Sequence, residues 1–128
     1  MDPNLEMIPE TGEYSMELSE IAFFTDDGIK MTEYYRRLLG KAPDVVDEDI
    51  AIFKIGGVSL LIHTKSTIGE SDLSPENHFA FSVNDLDAAC AQLAEQELSL
   101  EVAPRDFDWG RSAYLRDPDG QLIELSQK

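Results

Sequence analysis

Polar and apolar positions along this chain fall into two successive blocks of the same design. In the first, "LSEIAFFTDD" alternates as a half-buried strand and ends in turn residues. "MTEYYRRLLG" follows with Met31, Tyr34, Tyr35 and Leu38 at i, i+3, i+4 and i+7, the spacing of one helix face, and Gly40 stands where a helix stops. Arg36 and Arg37 fall in the last turn, where positive charge suits the helix dipole. A weak strand is expected near Val45 and Val46. Two stronger strands, Ile50 to Ile55 and "VSLLIHT", flank a Gly56-Gly57 turn as a hairpin.

The polar stretch "KSTIGESDLSPEN" reads as a linker, after which the design begins again. "HFAFSV" is a strand. "NDLDAACAQLAEQ" is a helix with Leu86, Ala89, Cys90 and Leu93 on one stripe and Asn84 or Asp85 as its N-cap. "LSLEVA", "GRSAYLRD" and "QLIELSQ" supply three further strands, the last introduced by the turn residues of "DPDG". Each block therefore reads β-α-β-β-β. Aligning "SEIAFFTDD" with "NHFAFSVND" sets Glu20 on His78 and Ala22 on Ala80. Aligning "GGVSLLIHTK" with "DGQLIELSQK" sets Leu61 on Glu124. Such internal similarity predicts a duplicated unit, with modules at about 16–65 and 77–128 and a flexible tail over 1–15.

Strand side chains alternate between faces. Ile21 and Phe23, Phe79 and Phe81, and Ile123 and Leu125 are the bulky apolar sets expected to meet the helices. Glu20 and Ala22, His78 and Ala80, Glu124 and Ser126, and Ser59, Leu61 and His63 are then left to the opposite face. That face gathers ionisable and small side chains, as the wall of a cleft does. The face taken by Tyr114 and Arg116 stays open at this point.

Bulk properties narrow the function classes. The chain has 128 residues, enough for one domain with a real core. Ten Lys and Arg against 26 Asp and Glu leave a formal net charge of −16, which repels nucleic acid and anionic lipid. No apolar run has membrane-span length, no signal-peptide pattern opens the chain, and the single cysteine, Cys90, has no internal disulfide partner. These point to a cytoplasmic protein.

With the paired β-α-β-β-β plan, "YYRRLLG", "HFAFSVNDLDAA" and "WGRSAYLRDPDGQLIEL", residues 16 to 128 resemble the vicinal oxygen chelate superfamily of glyoxalase I, bleomycin resistance proteins, fosfomycin resistance transferases and extradiol dioxygenases. The resemblance implies an α+β fold in which two βαβββ repeats form a curved eight-stranded mixed sheet around a cleft. It also implies a homodimer. Metal-binding members carry ligands on the first and last strands of each half, which here are Glu20, Leu61, His78 and Glu124. Leu61 cannot bind a metal, so the resemblance implies a three-ligand site of Glu20, His78 and Glu124 for Mn²⁺, Fe²⁺, Ni²⁺ or Zn²⁺. Glu20 or Glu124 would also move a proton on a small oxygenated substrate, in lyase or isomerase chemistry similar to that of lactoylglutathione lyase. His63, Trp109 and Arg111 are the expected substrate contacts, His63 also serving as a candidate distant ligand or base. The rival implied by the same resemblance is a metal-free protein that sequesters a planar ligand, as bleomycin resistance proteins do.

Overall fold

The computed structural model describes residues 15–65 and 76–128, so nearly all of the expected tail and of the linker lies outside the described residues. The elements run β1 (Glu17–Thr25), α1 (Gly28–Leu39), β2 (Val45–Val46), β3 (Ile50–Ile55), β4 (Val58–Thr64), β5 (His78–Val83), α2 (Leu86–Glu95), β6 (Val102–Phe107), β7 (Gly110–Arg116) and β8 (Leu122–Gln127). All eight strands form one mixed sheet in the order β2-β3-β4-β1-β5-β8-β7-β6. Within each module the first strand pairs parallel with the last, β1 with β4 and β5 with β8. The modules meet where β1 pairs antiparallel with β5.

Both helices lie on one face. Phe53, Leu60 and Ile62 are buried there with Ile21, Phe23, Met31, Tyr35 and Leu39 packed against them. Val83, Leu86, Ala89, Cys90, Ala113, Leu115 and Leu125 form the matching core of the second module. The register sets Ile21 opposite Phe79, which brings the two apolar faces to the same side of the sheet. Among the described residues no helix is long and apolar enough to cross a membrane.

Local signals fixed most boundaries. Asp27 caps α1 by accepting from the Lys30 amide, and Asp85 caps α2 by accepting from the Ala88 amide. Gly40 ends α1 in the left-handed region at φ 69°. Two expectations need correction. The inward stripe of α1 is Met31, Tyr35 and Leu39, whereas Tyr34 and Leu38 are exposed. The helix rests on a narrow contact with the sheet, so only one edge of its apolar arc is covered. The sixth strand begins at Val102, not at Leu98. Residues 97 and 98 are consumed by the end of α2, where the Glu97 amide reaches the Ala94 carbonyl and the Leu98 amide reaches that of Leu93. This is the Schellman pattern. The strand then runs through Pro104, which is tolerated because β6 is an edge strand with a register shift between Val102 and Arg105.

Glu97 holds the left-handed position of that motif at φ 64°, where a side chain is strained. Glu97→Gly is therefore expected to stabilise the fold by up to about 1 kcal/mol, seen as a higher urea midpoint at constant slope. An unchanged or lower midpoint would refute the strain.

Candidate metal centre

The helix-free face is organised in two rows of paired residues. One row runs Ser59, Glu20, Ala80, Glu124 across β4, β1, β5 and β8; the next runs Leu61, Ala22, His78, Leu122. Read in opposite directions the rows match, with Glu20 standing for His78, Ala22 for Ala80 and Leu61 for Glu124. That is the pseudo-twofold relation the sequence alignment predicts. Ala22 and Ala80 are the floor. Their methyl groups leave room above β1 and β5 for longer side chains to meet.

Glu20, His78 and Glu124 do meet there. Each offers one ligand atom, and these atoms lie within 4.8 Å of one another. All three come from a single chain, so the cluster needs no partner subunit to assemble. His78 Nε2 is 3.0 Å from Glu124 Oε1, and His78 Nδ1 is 2.9 Å from the Glu76 carbonyl oxygen. A carbonyl only accepts, so Nδ1 carries the hydrogen. Nε2 is then the nitrogen that faces the carboxylates, as an N–H when the ring is charged and as a lone pair when it is neutral.

Glu124 is held tightly. The Ser112 hydroxyl, fully buried, donates to its Oε2 at 2.7 Å. Tyr114 lies directly opposite on β7. Burial works against the Glu124 charge, yet the hydrogen bonds from His78 and Ser112, with help from the Trp109 indole, hold its carboxyl below the usual range. Glu20 behaves in the opposite way. Burial and then the Glu124 charge push its carboxyl up, against a smaller pull from His78. Among the described residues no hydrogen bond reaches the Glu20 carboxylate. Burial opposes the charge on His78, but its bonds to Glu124 and the Glu76 carbonyl win and raise its pKa. Burial and the Glu124 charge push the Tyr114 hydroxyl far up, so it stays a neutral donor.

The remaining expected contacts separate. His63 faces the same side, but the Phe24 ring stands between it and His78, stacked on both at centroid distances of 5.6 and 5.8 Å. His63 donates from Nδ1 to the Thr64 carbonyl and is not part of the cluster. Trp109 sits in the β6–β7 hairpin turn, 60% exposed and stacked flat on Phe107 at 4.5 Å, with its indole turned toward Glu124. Arg111 lies on the other side of the sheet. Its guanidinium is engaged by Asp87 at the start of α2 and by Asp106, because β7 alternation sends Arg111 the same way as Ala113 and Leu115. An expected substrate contact there is not what the geometry provides. Ser112 and Phe24 are absent from the residues singled out in the sequence, and the face of Tyr114, left open there, is the cleft face. The apolar Ala113 and Leu115, destined for the helix side, were the available signal that Ser112 and Tyr114 face the cleft.

Known proteins agree with this architecture. The Glyoxalase/Bleomycin resistance protein/Dioxygenase superfamily model matches residues 17–125. A metallothiol transferase FosB from Shouchella clausii (strain KSM-K16) is 30% identical over 115 residues, covering 84% of this chain and 77% of that protein. One from Staphylococcus epidermidis is 31% identical over 112 residues, covering 84% and 81%. Among solved structures, a methylmalonyl-CoA epimerase from Streptomyces coelicolor superposes with a TM-score of 0.67 at 23% identity, covering 89% of this chain and 96% of that one, which is a likeness of fold. A family model spanning both modules and a sheet with the same twofold plan lead to one conclusion: the chain belongs to the glyoxalase, bleomycin resistance protein and dioxygenase superfamily.

Proposed function

We propose that this chain is a divalent-metal-dependent enzyme acting on a small oxygenated molecule at Glu20, His78 and Glu124. The observation that carries the reading is the commitment of His78 Nδ1–H to the Glu76 carbonyl, which aims Nε2 at two carboxylates. Metal-binding histidines are oriented in this way by a second hydrogen bond on the far nitrogen. One nitrogen and two oxygens, carrying two negative charges, suit Mn²⁺, Fe²⁺, Ni²⁺ or Zn²⁺. A divalent ion at this site supplies Lewis acidity toward substrate oxygens.

The chain's own residues divide the remaining work. Glu124, clamped by Ser112 and kept ionised, is the anchored ligand. Glu20, which no hydrogen bond clamps among the described residues, is the freer group to take and return a proton. One anchored and one unclamped carboxylate suit the proton transfers of lyase or isomerase chemistry. Trp109, exposed beside Glu124, and His63, beyond Phe24, are the flanking substrate contacts. A second reading is favoured by the relatives near 30% identity that are named metallothiol transferases: the same centre would activate a substrate for attack by a thiol. The readings part on whether turnover needs a thiol co-substrate.

Calorimetric titration of the untagged protein with Mn²⁺, Ni²⁺ and Zn²⁺ tests the shared premise. Leu61 occupies the place equivalent to Glu124 across the pseudo-twofold, separated from His78 by Ala22 as Glu124 is from Glu20 by Ala80. Leu61→Glu is therefore expected to tighten binding by adding a fourth donor. A wild-type protein that binds none of the three ions sinks the enzyme reading and leaves the metal-free ligand-sequestering one.

A further inference from the structure

We propose that Arg116 is a positioning residue for His78, acting through Glu76. The inference rests on the metal-site reading above but concerns a part of the molecule that reading does not use. Arg116 ends β7. Its Nη1 and Nη2 donate to the two Glu76 carboxylate oxygens at 2.8 and 2.9 Å, an end-on fork. Nε donates to Glu101 at 3.0 Å, and Nη1 also reaches the Gly120 carbonyl at 2.9 Å. One guanidinium thus joins the end of β7, the turn before β8 and residue 76.

Glu76 is gripped at two points. Its side chain is held by Arg116, and its carbonyl receives His78 Nδ1–H. Residue 77 is stitched in between: the Asn77 side chain accepts the Phe24 amide at 2.8 Å, and Phe24 stacks on His78. The peptide that selects the imidazole tautomer lies just before β5, outside the sheet ladder. Backbone pairing alone does not fix where its carbonyl points; the Arg116 fork does.

Energetics separate this role from simple stabilisation. Arg116 and Glu76 side chains are 35% and 37% exposed, and exposed ion pairs contribute little to stability. Loss of the fork should therefore change stability little. Aim is more demanding, since loss of an outer partner of a metal-binding histidine typically lowers affinity about 10–100-fold. A lysine offers one point charge in place of the fork.

The experiment uses the full chain with Arg116→Ala, Arg116→Lys, Glu76→Gln and, as control, Glu101→Gln. Histidine ring ¹⁵N–¹H spectra of the metal-free protein at one fixed pH report the His78 Nδ1–H directly. Arg116→Ala and Glu76→Gln are expected to weaken or lose that resonance and populate the other tautomer. They should weaken Mn²⁺ and Zn²⁺ binding about 10–100-fold, with Arg116→Lys intermediate and Glu101→Gln close to wild type. Glu76→Gln keeps the carbonyl, so it tests the clamp even if Arg116→Ala folds poorly. A folded Arg116→Ala or Glu76→Gln protein with an unchanged Nδ1–H resonance overturns the proposal. Equal losses in Glu101→Gln do so as well, by showing a general effect of the ion-pair network. If wild type binds no metal yet the tautomer shifts in the variants, the metal reading fails and the positioning role stands.

Discussion

His78→Ala is expected to reduce divalent-metal affinity by more than the ~10–100-fold typical of losing an outer-shell partner, leaving two carboxylates with no neutral donor between them. Three ligand atoms within 4.8 Å are the minimum for a centre that keeps positions open for substrate, and His78 supplies its one nitrogen. The electrostatics then predict a pH dependence. The folded protein holds the His78 pKa above its ordinary value, because the ring donates to Glu124 and to the Glu76 carbonyl despite being buried. A charged ring has no lone pair on Nε2, so an ion must displace that proton. Affinity is expected to be weak below the raised pKa, to climb as pH rises through it, and to level off above. The metal-free fold shows the opposite trend. The His78–Glu124 ion pair stabilises it below the ordinary imidazole value and ceases to do so as pH rises through the raised one. Calorimetry across neutral pH checks both parts. Equal metal binding by wild type and His78→Ala, or an affinity that does not vary with pH, would show that His78 is not a ligand.

Phe53→Ala is expected to cost about 3–5 kcal/mol, against a total stability of about 5–15 kcal/mol for a domain. Phe53 is fully buried, and the ring sits with Leu60 and Ile62 under Met31, Tyr35 and Leu39 of α1. No residue of α1 is itself fully buried, so the helix depends on this one platform. Removing the ring leaves a hole that β-sheet rigidity prevents from closing. The consequence reaches the site, because β1 carries Ile21 and Phe23 into this core on one face and Glu20 into the cluster on the other. Urea denaturation measures the loss. Leu38→Ala is the contrast: Leu38 is 63% exposed, and its truncation should move stability within about 0.5 kcal/mol. Similar costs for the two variants would refute the packing described.

The sequence by itself determined which side chains share a face. Alternation is local, because a strand's pleat repeats every two residues whatever lies beside it. Glu20, His78 and Glu124 were therefore legible as co-facial, and the two β-α-β-β-β modules as repeats of one another. The caps were legible for the same reason, since Asp27, Asp85 and Gly40 act within one helical turn. Tertiary structure alone decided distances and partners. That Glu20 and Glu124, far apart in the chain, flank Ala80 follows from β1 pairing with β5 and β5 with β8, contacts no local pattern specifies. The insertion of Phe24 between His63 and His78 depends on β1 pairing with β4 on one side and with β5 on the other. Arg111 and Arg116 look alike in "GRSAYLRD", yet one side of β7 meets the acidic start of α2 and the other meets Glu76. Alternation separates them but does not say which goes where. That choice was made by Ala113 and Leu115, whose burial under α2 outweighs any preference of two surface arginines.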